Sequence, residues 1–147
     1  MELDEALAAA RANNQSTLTT IRSNGRPQLS NVVHTVDEAG VIRISTTADR
    51  AKYRNLRREP WAALHVNGGD FWSYAVLEGD VELSEVAAAA DDPVVDELVD
   101  LYREIAGEHE SWSAYRQAMV DEQRLVVRFH PTRAYGALRG LPAASGS

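Results

Sequence analysis

From Ser16 to Glu85 the chain is a succession of short β-prone runs broken by tight turns, with one brief helical segment among them. This order restricts the available folds more than any other feature. The first turn is the most telling. "TLTTIR" and "PQLSNVV" flank Asn24-Gly25, and Asn-Gly between apolar runs signals a hairpin because both residues tolerate positive φ. The return strand reads as one run, "PQLSNVVHTVD", with Leu29, Asn31, Val33 and Thr35 on one face and Ser30, Val32, His34 and Val36 on the other. "DEAG" turns the chain into "VIRIST". "WAALHV" and "FWSYAVLEG" follow, joined by "NGGD", and "DVELSE" continues past a bulge expected at Gly79. "RLVVRFHPTRAYGAL" is the final strand. Strands that do not alternate with helices exclude a doubly wound sheet. The expected class is mainly β (α+β), an antiparallel barrel or curled sheet with peripheral helices.

Four helices are expected. Residues 2–12 carry Leu3, Ala6, Leu7 and Ala10 at helical spacing. A short helix starts from Asp49 as N-cap and stops before Pro60. "DDPVVDELVDLYREIAG" has an Asp cap, Pro93 in its first turn and Gly107 as a stop; "SWSAYRQAMVDE" is capped by Ser111. No linker divides the chain, so residues 1–140 are read as one domain and 141–147 as a mobile tail.

Composition removes whole classes of function. The 147 residues contain no cysteine, which excludes disulfides and thiolate metal sites and suits a reducing cytoplasm. The acidic, amphipathic N-terminus does not resemble a signal peptide, and no apolar run is long enough to span a bilayer. A net charge of -7 argues against a general nucleic-acid binder. No Gly-rich nucleotide loop is present, and no two of His34, His65, His109 and His130 have metal-ligand spacing, so no metal is expected.

Against that acidic background "RAKYRNLRREP" gathers Arg50, Lys52, Arg54, Arg57 and Arg58. One reading is a solvated helix face. The spacing supports another. Arg50 and Lys52 fall in the first helical turn, where the macrodipole disfavours cations by a few tenths to about 1 kcal/mol. Their placement there makes sense if an anion sits on the free N–H groups. Asn55 adds a neutral donor, and Ser45, Thr46 and Thr47 add hydroxyls from the preceding strand end. Together they read as a phosphate clamp. Gln28, Ser30 and Asn31 are polar positions in an apolar strand, suited either to a solvent face or to a planar heterocycle. Trp72 and Tyr74, two apart, suit a core, a ring stack or a subunit contact.

"GRPQLSNV", "RAKYRNLRREP", "WSYAVLEG", "LYREIAGEHESW" and "YRQAMV", in this order, resemble the actinobacterial flavin/deazaflavin oxidoreductases of the pyridoxamine 5'-phosphate oxidase-like split-barrel superfamily. The likeness is strongest to the branch that uses coenzyme F420. It implies a six-stranded antiparallel split β-barrel and a homodimer with two cofactor grooves at the interface. It also implies that Arg50, Lys52 and Asn55 hold the cofactor phosphate, with Ser45 and Thr46 near the ring or its side chain. Gln28, Ser30 and Asn31 would lie beside the deazaflavin, and Trp72 and Tyr74 would come from the partner subunit. The implied reaction is hydride transfer from reduced F420 to an electron-poor C=C or C=N bond of a small molecule. Catalytic residues stay unassigned, with Tyr74 or a bound water as candidate proton donors. FMN in place of F420, or a non-enzymatic carrier of F420 or a tetrapyrrole, are the alternatives.

Overall fold

The computed structural model describes residues 1–139; the expected tail lies outside them. The elements run α1 (Leu3–Ala12), β1 (Gln15–Ile21), β2 (Pro27–Val33), β3 (Thr35–Val36), β4 (Ile42–Thr47), α2 (Ala51–Arg58), β5 (Trp61–Asn67), β6 (Tyr74–Leu83), α3 (Pro93–Ala106), α4 (Trp112–Asp121) and β7 (Arg124–Ala137). The strands form one antiparallel sheet in the order β2-β1-β5-β6-β7-β4-β3. The two edge strands, β2 and β3, are consecutive in the chain and separated by His34 alone. A sheet whose edges are joined by one residue cannot lie flat, so it curls into a split barrel.

That residue also explains why seven strand segments stand where six strands were expected. The return strand is broken at His34, whose backbone N–H donates to the Asn14 carbonyl at 2.9 Å instead of a ladder partner. Its side chain is fully buried. Nε2 donates to the Ala10 carbonyl at 2.8 Å, which leaves Nδ1 to accept from Ser16 Oγ at 2.7 Å. The break in the strand is thereby clipped to the C-terminal turn of α1.

Inward side chains alternate as a pleated strand requires. Leu18, Ile42, Ile44, Leu64, Leu77 and Phe129 fill the barrel, and Ala6, Leu7 and Ala10 of α1 and Leu56 of α2 complete the same core. A smaller core lies outside it, where Val94, Val95, Leu98 and Leu101 of α3 and Met119 of α4 pack on Val126 of β7. Glu97 fastens α3 to the barrel, accepting from Arg43 Nε at 2.8 Å and Arg128 Nη2 at 2.7 Å. Burial alone would raise the Glu97 carboxyl, but these two guanidiniums hold it below the ordinary range.

Two turns refine the sequence reading. The hairpin loop is longer than a two-residue Asn-Gly turn: Arg22 N–H donates to the Arg26 carbonyl and Gly25 N–H to the Arg22 carbonyl. Gly25 alone takes positive φ, 83°, while Asn24 Oδ1 accepts from the Arg26 amide at 3.0 Å. The bulge falls at Glu78/Gly79, where a Cβ on Gly79 would collide with the His130 carbonyl oxygen. Among the described residues no helix is long and apolar enough to cross a membrane.

The His34 clip has a pH signature. Burial pushes its imidazole below the ordinary value of 6.5, partly opposed by the bond to Ala10. Below that value the unfolded chain takes up a proton that the folded chain refuses, so stability falls as pH falls. On acidification from pH 7 to about 5, the unfolding free energy should drop by up to about 1.4 kcal/mol per pH unit. His34→Gln keeps a donor for Ala10 without a titrating group and should flatten that slope in urea melts. An identical slope in the variant would remove His34 as its source.

Candidate functional site

The basic helix α2 begins where β4 ends. The N-cap is Arg50, not Asp49 as the sequence implied. The Asp49 carboxylate instead accepts from the Thr47 hydroxyl, and its backbone carbonyl accepts from Arg54 Nη1 at 2.9 Å. The correction sharpens the site. No side chain caps α2 and no acid stands in its first turn, whereas α4 is capped by Ser111 Oγ and α1 by a Glu2–Glu5 capping box. The first amides of α2 therefore face outward without a capping oxygen, flanked by Arg50 and Lys52. Burial, and then the charge of Arg50, push the Lys52 ammonium below its ordinary value.

Ion pairing distinguishes this helix from the arginines around α3, α4 and β7. Arg43, Arg103, Arg116, Arg124, Arg128 and Arg133 each meet a carboxylate. Among the described residues none of Arg50, Lys52, Arg54, Arg57 and Arg58 does so. Arg58 Nη2 instead donates to the Ile21 carbonyl at 2.6 Å and to Asn55 Oδ1 at 3.2 Å, and Arg57 lies over the Tyr53 ring. An uncapped amide end whose cations meet no carboxylate within ion-pair distance among the described residues fits a phosphate or a longer anion.

Asn55 does not stand free at the cradle's edge. It is buried, and its Nδ2 donates to Thr20 Oγ1 at 3.1 Å and Gln28 Oε1 at 2.8 Å. Its role is to lock α2 onto the β1–β2 hairpin. With Oε1 spent on Asn55, Gln28 offers its Nε2–H donors to a neighbour. Ser30 shares the half-buried face of β2 with Gln28, and Asn31 lies on the opposite, exposed face, where its Oδ1 accepts from Thr17 Oγ1 at 3.2 Å. On β4 the same alternation turns Thr46 inward, buried, and Ser45 outward, where its Oγ accepts from Arg124 Nη1 at 3.1 Å.

Trp72 and Tyr74 do not share a strand face. β6 starts at Tyr74, and Trp72 sits in the preceding turn, 64% exposed and edge-on to Phe71. Asp70 Oδ1 accepts from the Trp72 and Ser73 amides and holds that turn. Tyr74 stacks on His65 at 5.5 Å on the outer face. The ten expected residues thus separate: Arg50 and Lys52 stand at the start of α2; Gln28 and Asn55 meet on the helix–hairpin seam, with Ser30 on the same face of β2; Thr46 is buried inside the barrel; Ser45, Asn31, Trp72 and Tyr74 lie on or beside the outer face. Sequence reasoning missed Thr20, Arg124 and His65. Thr20 had only its β-branched run to mark it, and the other two looked like ordinary strand residues.

A family profile described as pyridoxamine 5'-phosphate oxidase matches residues 3–137. Solved structures share the fold. An F420 reductase is 24% identical, with a TM-score of 0.67 over 87% of this chain and 94% of its own. A pyridoxamine 5'-phosphate oxidase-related, FMN-binding protein from Nostoc punctiforme is 16% identical, with a TM-score of 0.57 over 90% and 80%. The heme storage protein HutZ from Vibrio cholerae is 14% identical, with a TM-score of 0.64 over 92% and 95%.

If the end of α2 is an anion cradle, pyrophosphate at saturating concentration should raise the melting temperature by about 5 °C. Lys52→Gln should remove most of that increment in a thermal-shift assay. The variant should also melt no lower than wild type without ligand, because a half-buried ammonium is gone. An undiminished shift in the variant would take Lys52 out of the cradle.

Proposed function

The chain belongs to the pyridoxamine 5'-phosphate oxidase family, and from that premise we propose that it is a homodimeric oxidoreductase using coenzyme F420 to reduce an electron-poor C=C or C=N bond of a small molecule. The observation that carries this reading is the row of five cations along α2 and its N-cap, which meet no carboxylate among the described residues. A single FMN phosphate occupies one helix end. The phosphodiester and oligoglutamate tail of F420 would engage Arg54, Arg57 and Arg58 as well.

When bound, the reduced deazaflavin supplies the hydride. The chain's own residues do the rest. Arg50, Lys52 and the open amides of Ala51 and Lys52 take the phosphate. Gln28, held by Asn55, would offer an amide donor to the bound ring. Ser45 and Thr46 would lie at the strand end near the ring or its side chain, with Ser30 and Asn31 on the two faces of β2 beside it. Tyr74 and Trp72 would reach the ring of the neighbouring subunit, and Tyr74 or a water would deliver the proton.

The homodimer reading has its own support. The helices α3 and α4 cover the outer face of the sheet only beside β4 and the start of β7. Across β2, β1, β5, β6 and the end of β7 the outer face is open. Leu29 at 62%, Val33 at 40% and Tyr135 at 49% are exposed there, and Phe71 at 78% and Trp72 lie at its margin. Most of the exposed large apolar side chains gather in this region, as a subunit contact would require.

Fluorescence titration should give a tighter complex with F420 than with FMN. Replacing Arg54, Arg57 and Arg58 together by Ala should weaken F420 at least about tenfold and FMN much less. A tight FMN complex without F420 binding would transfer the assignment to FMN. Tight F420 binding with no acceptor speeding its oxidation would favour the carrier reading.

Light scattering should show a dimer that Leu29→Asp with Trp72→Asp converts to monomer. A dimer that survives both charges would place the interface elsewhere.

A further inference from the structure

Away from the start of α2, an open pocket of about 470 Å³ lies between α3 and α4, within the range of small-molecule sites. Leu101, Tyr102 and Ile105 of α3 form one wall, and Tyr115, Ala118 and Met119 of α4 form another. Ser45, Glu122 and Arg124 supply its polar lining.

The walls are rigid for an identifiable reason. Tyr102 packs against Tyr115 at 5.0 Å, His109 at 5.2 Å and Trp112 at 5.7 Å. The Tyr115 hydroxyl is spent on the Leu98 carbonyl at 3.1 Å. The polar group is incompletely used. Arg124 donates Nε to Glu122 at 2.8 Å and Nη1 to Ser45 Oγ at 3.1 Å. Its Nη2 donates to no acceptor among the described residues.

We infer that this cavity binds a flat aromatic carboxylate, its ring against Tyr102, Tyr115 and Met119 and its carboxylate on the Arg124 guanidinium. Each part of the ligand class follows from a contact. Apolar and aromatic walls select a ring system. One open edge of a guanidinium, already half-neutralised by Glu122, selects a planar monoanion over a phosphate dianion. Ser45 lies on β4, which ends at Thr47, three residues before Arg50.

The chain has two methionines, Met1 and Met119, so a protein labelled with methyl-13C methionine gives one reporter in the cavity and one control. Titration of the full chain with 1-naphthoate, without any cofactor, should shift the Met119 methyl saturably and leave Met1 in place. Arg124→Gln should weaken the apparent affinity about tenfold, and Glu122→Gln should tighten it about threefold. Opposite effects from neighbouring positions cannot come from a general loss of structure. A Met119 signal that stays fixed up to millimolar 1-naphthoate, or affinities unchanged in both variants, would overturn the assignment. Because no F420 is present, failure of the F420 titration leaves this result standing, and the reverse also holds.

Discussion

The closure of the sheet through His34 governs the rest of the molecule. In an open sheet the edge strands are far apart and each needs its own protection. Here the edges are the two halves of one interrupted run, β2 and β3. The interruption must be rigid, or the barrel would splay. The neutral imidazole supplies that rigidity with two buried hydrogen bonds, one to β1 and one to the end of α1. The same closure brings the β1–β2 hairpin against α2. Asn55 can then bridge Thr20 and Gln28, and Arg58 can reach the Ile21 carbonyl. The orientation of the basic helix is therefore a consequence of barrel closure.

Charge is distributed in two regimes. Around α3 the ions are matched: Glu97 faces Arg43 and Arg128, and Arg43 also meets Asp37. Such pairs fasten elements together and have little left to offer a ligand. On α2 the cations are left without carboxylates, although the chain has 22 acidic residues to draw on. Half-burial of Lys52 beside Arg50 makes this arrangement costly in the ligand-free protein. A bound anion would relieve that cost, which is what a binding site demands of its unliganded state.

Most elements were legible because their signals are local. Helix caps at Asp92 and Ser111, Pro93 at the start of α3, and alternation in β1, β4 and β5 all depend on neighbours in sequence. The departures arise where a tertiary contact overrides a local preference. Nothing near His34 announces that its side chain will leave the strand for the Ala10 carbonyl. Asp49 is a good N-cap in isolation, but Thr47 claims its carboxylate. Trp72 alternates correctly with Tyr74, yet Asp70 ties it into a turn. Position alone put Arg50 and Lys52 at the start of α2. Asn55 was readable as a participant, but its buried bridging role needed the hairpin folded against it.

The loop that leads into α2 and the cavity beside α4 are joined at Gln123 and Arg124. Gln123 has φ of 53°, the one non-glycine with positive φ among the described residues. Such a conformation is uncommon for a residue of its kind and persists when surrounding bonds hold it. They do so here: its N–H donates to the Val120 carbonyl at 3.0 Å, and its carbonyl accepts from the Ala48 amide at 3.0 Å. The first bond ends α4, one wall of the cavity. The second holds the loop that leads into the cradle. Arg124, next in the chain, reaches Ser45 on the strand that feeds that loop. A displacement of α4 would therefore strain the 47–50 loop through one backbone bond and one side-chain bond. Two sites built from different cores, one inside the barrel and one on its outer surface, are thus held in register by a two-residue hinge.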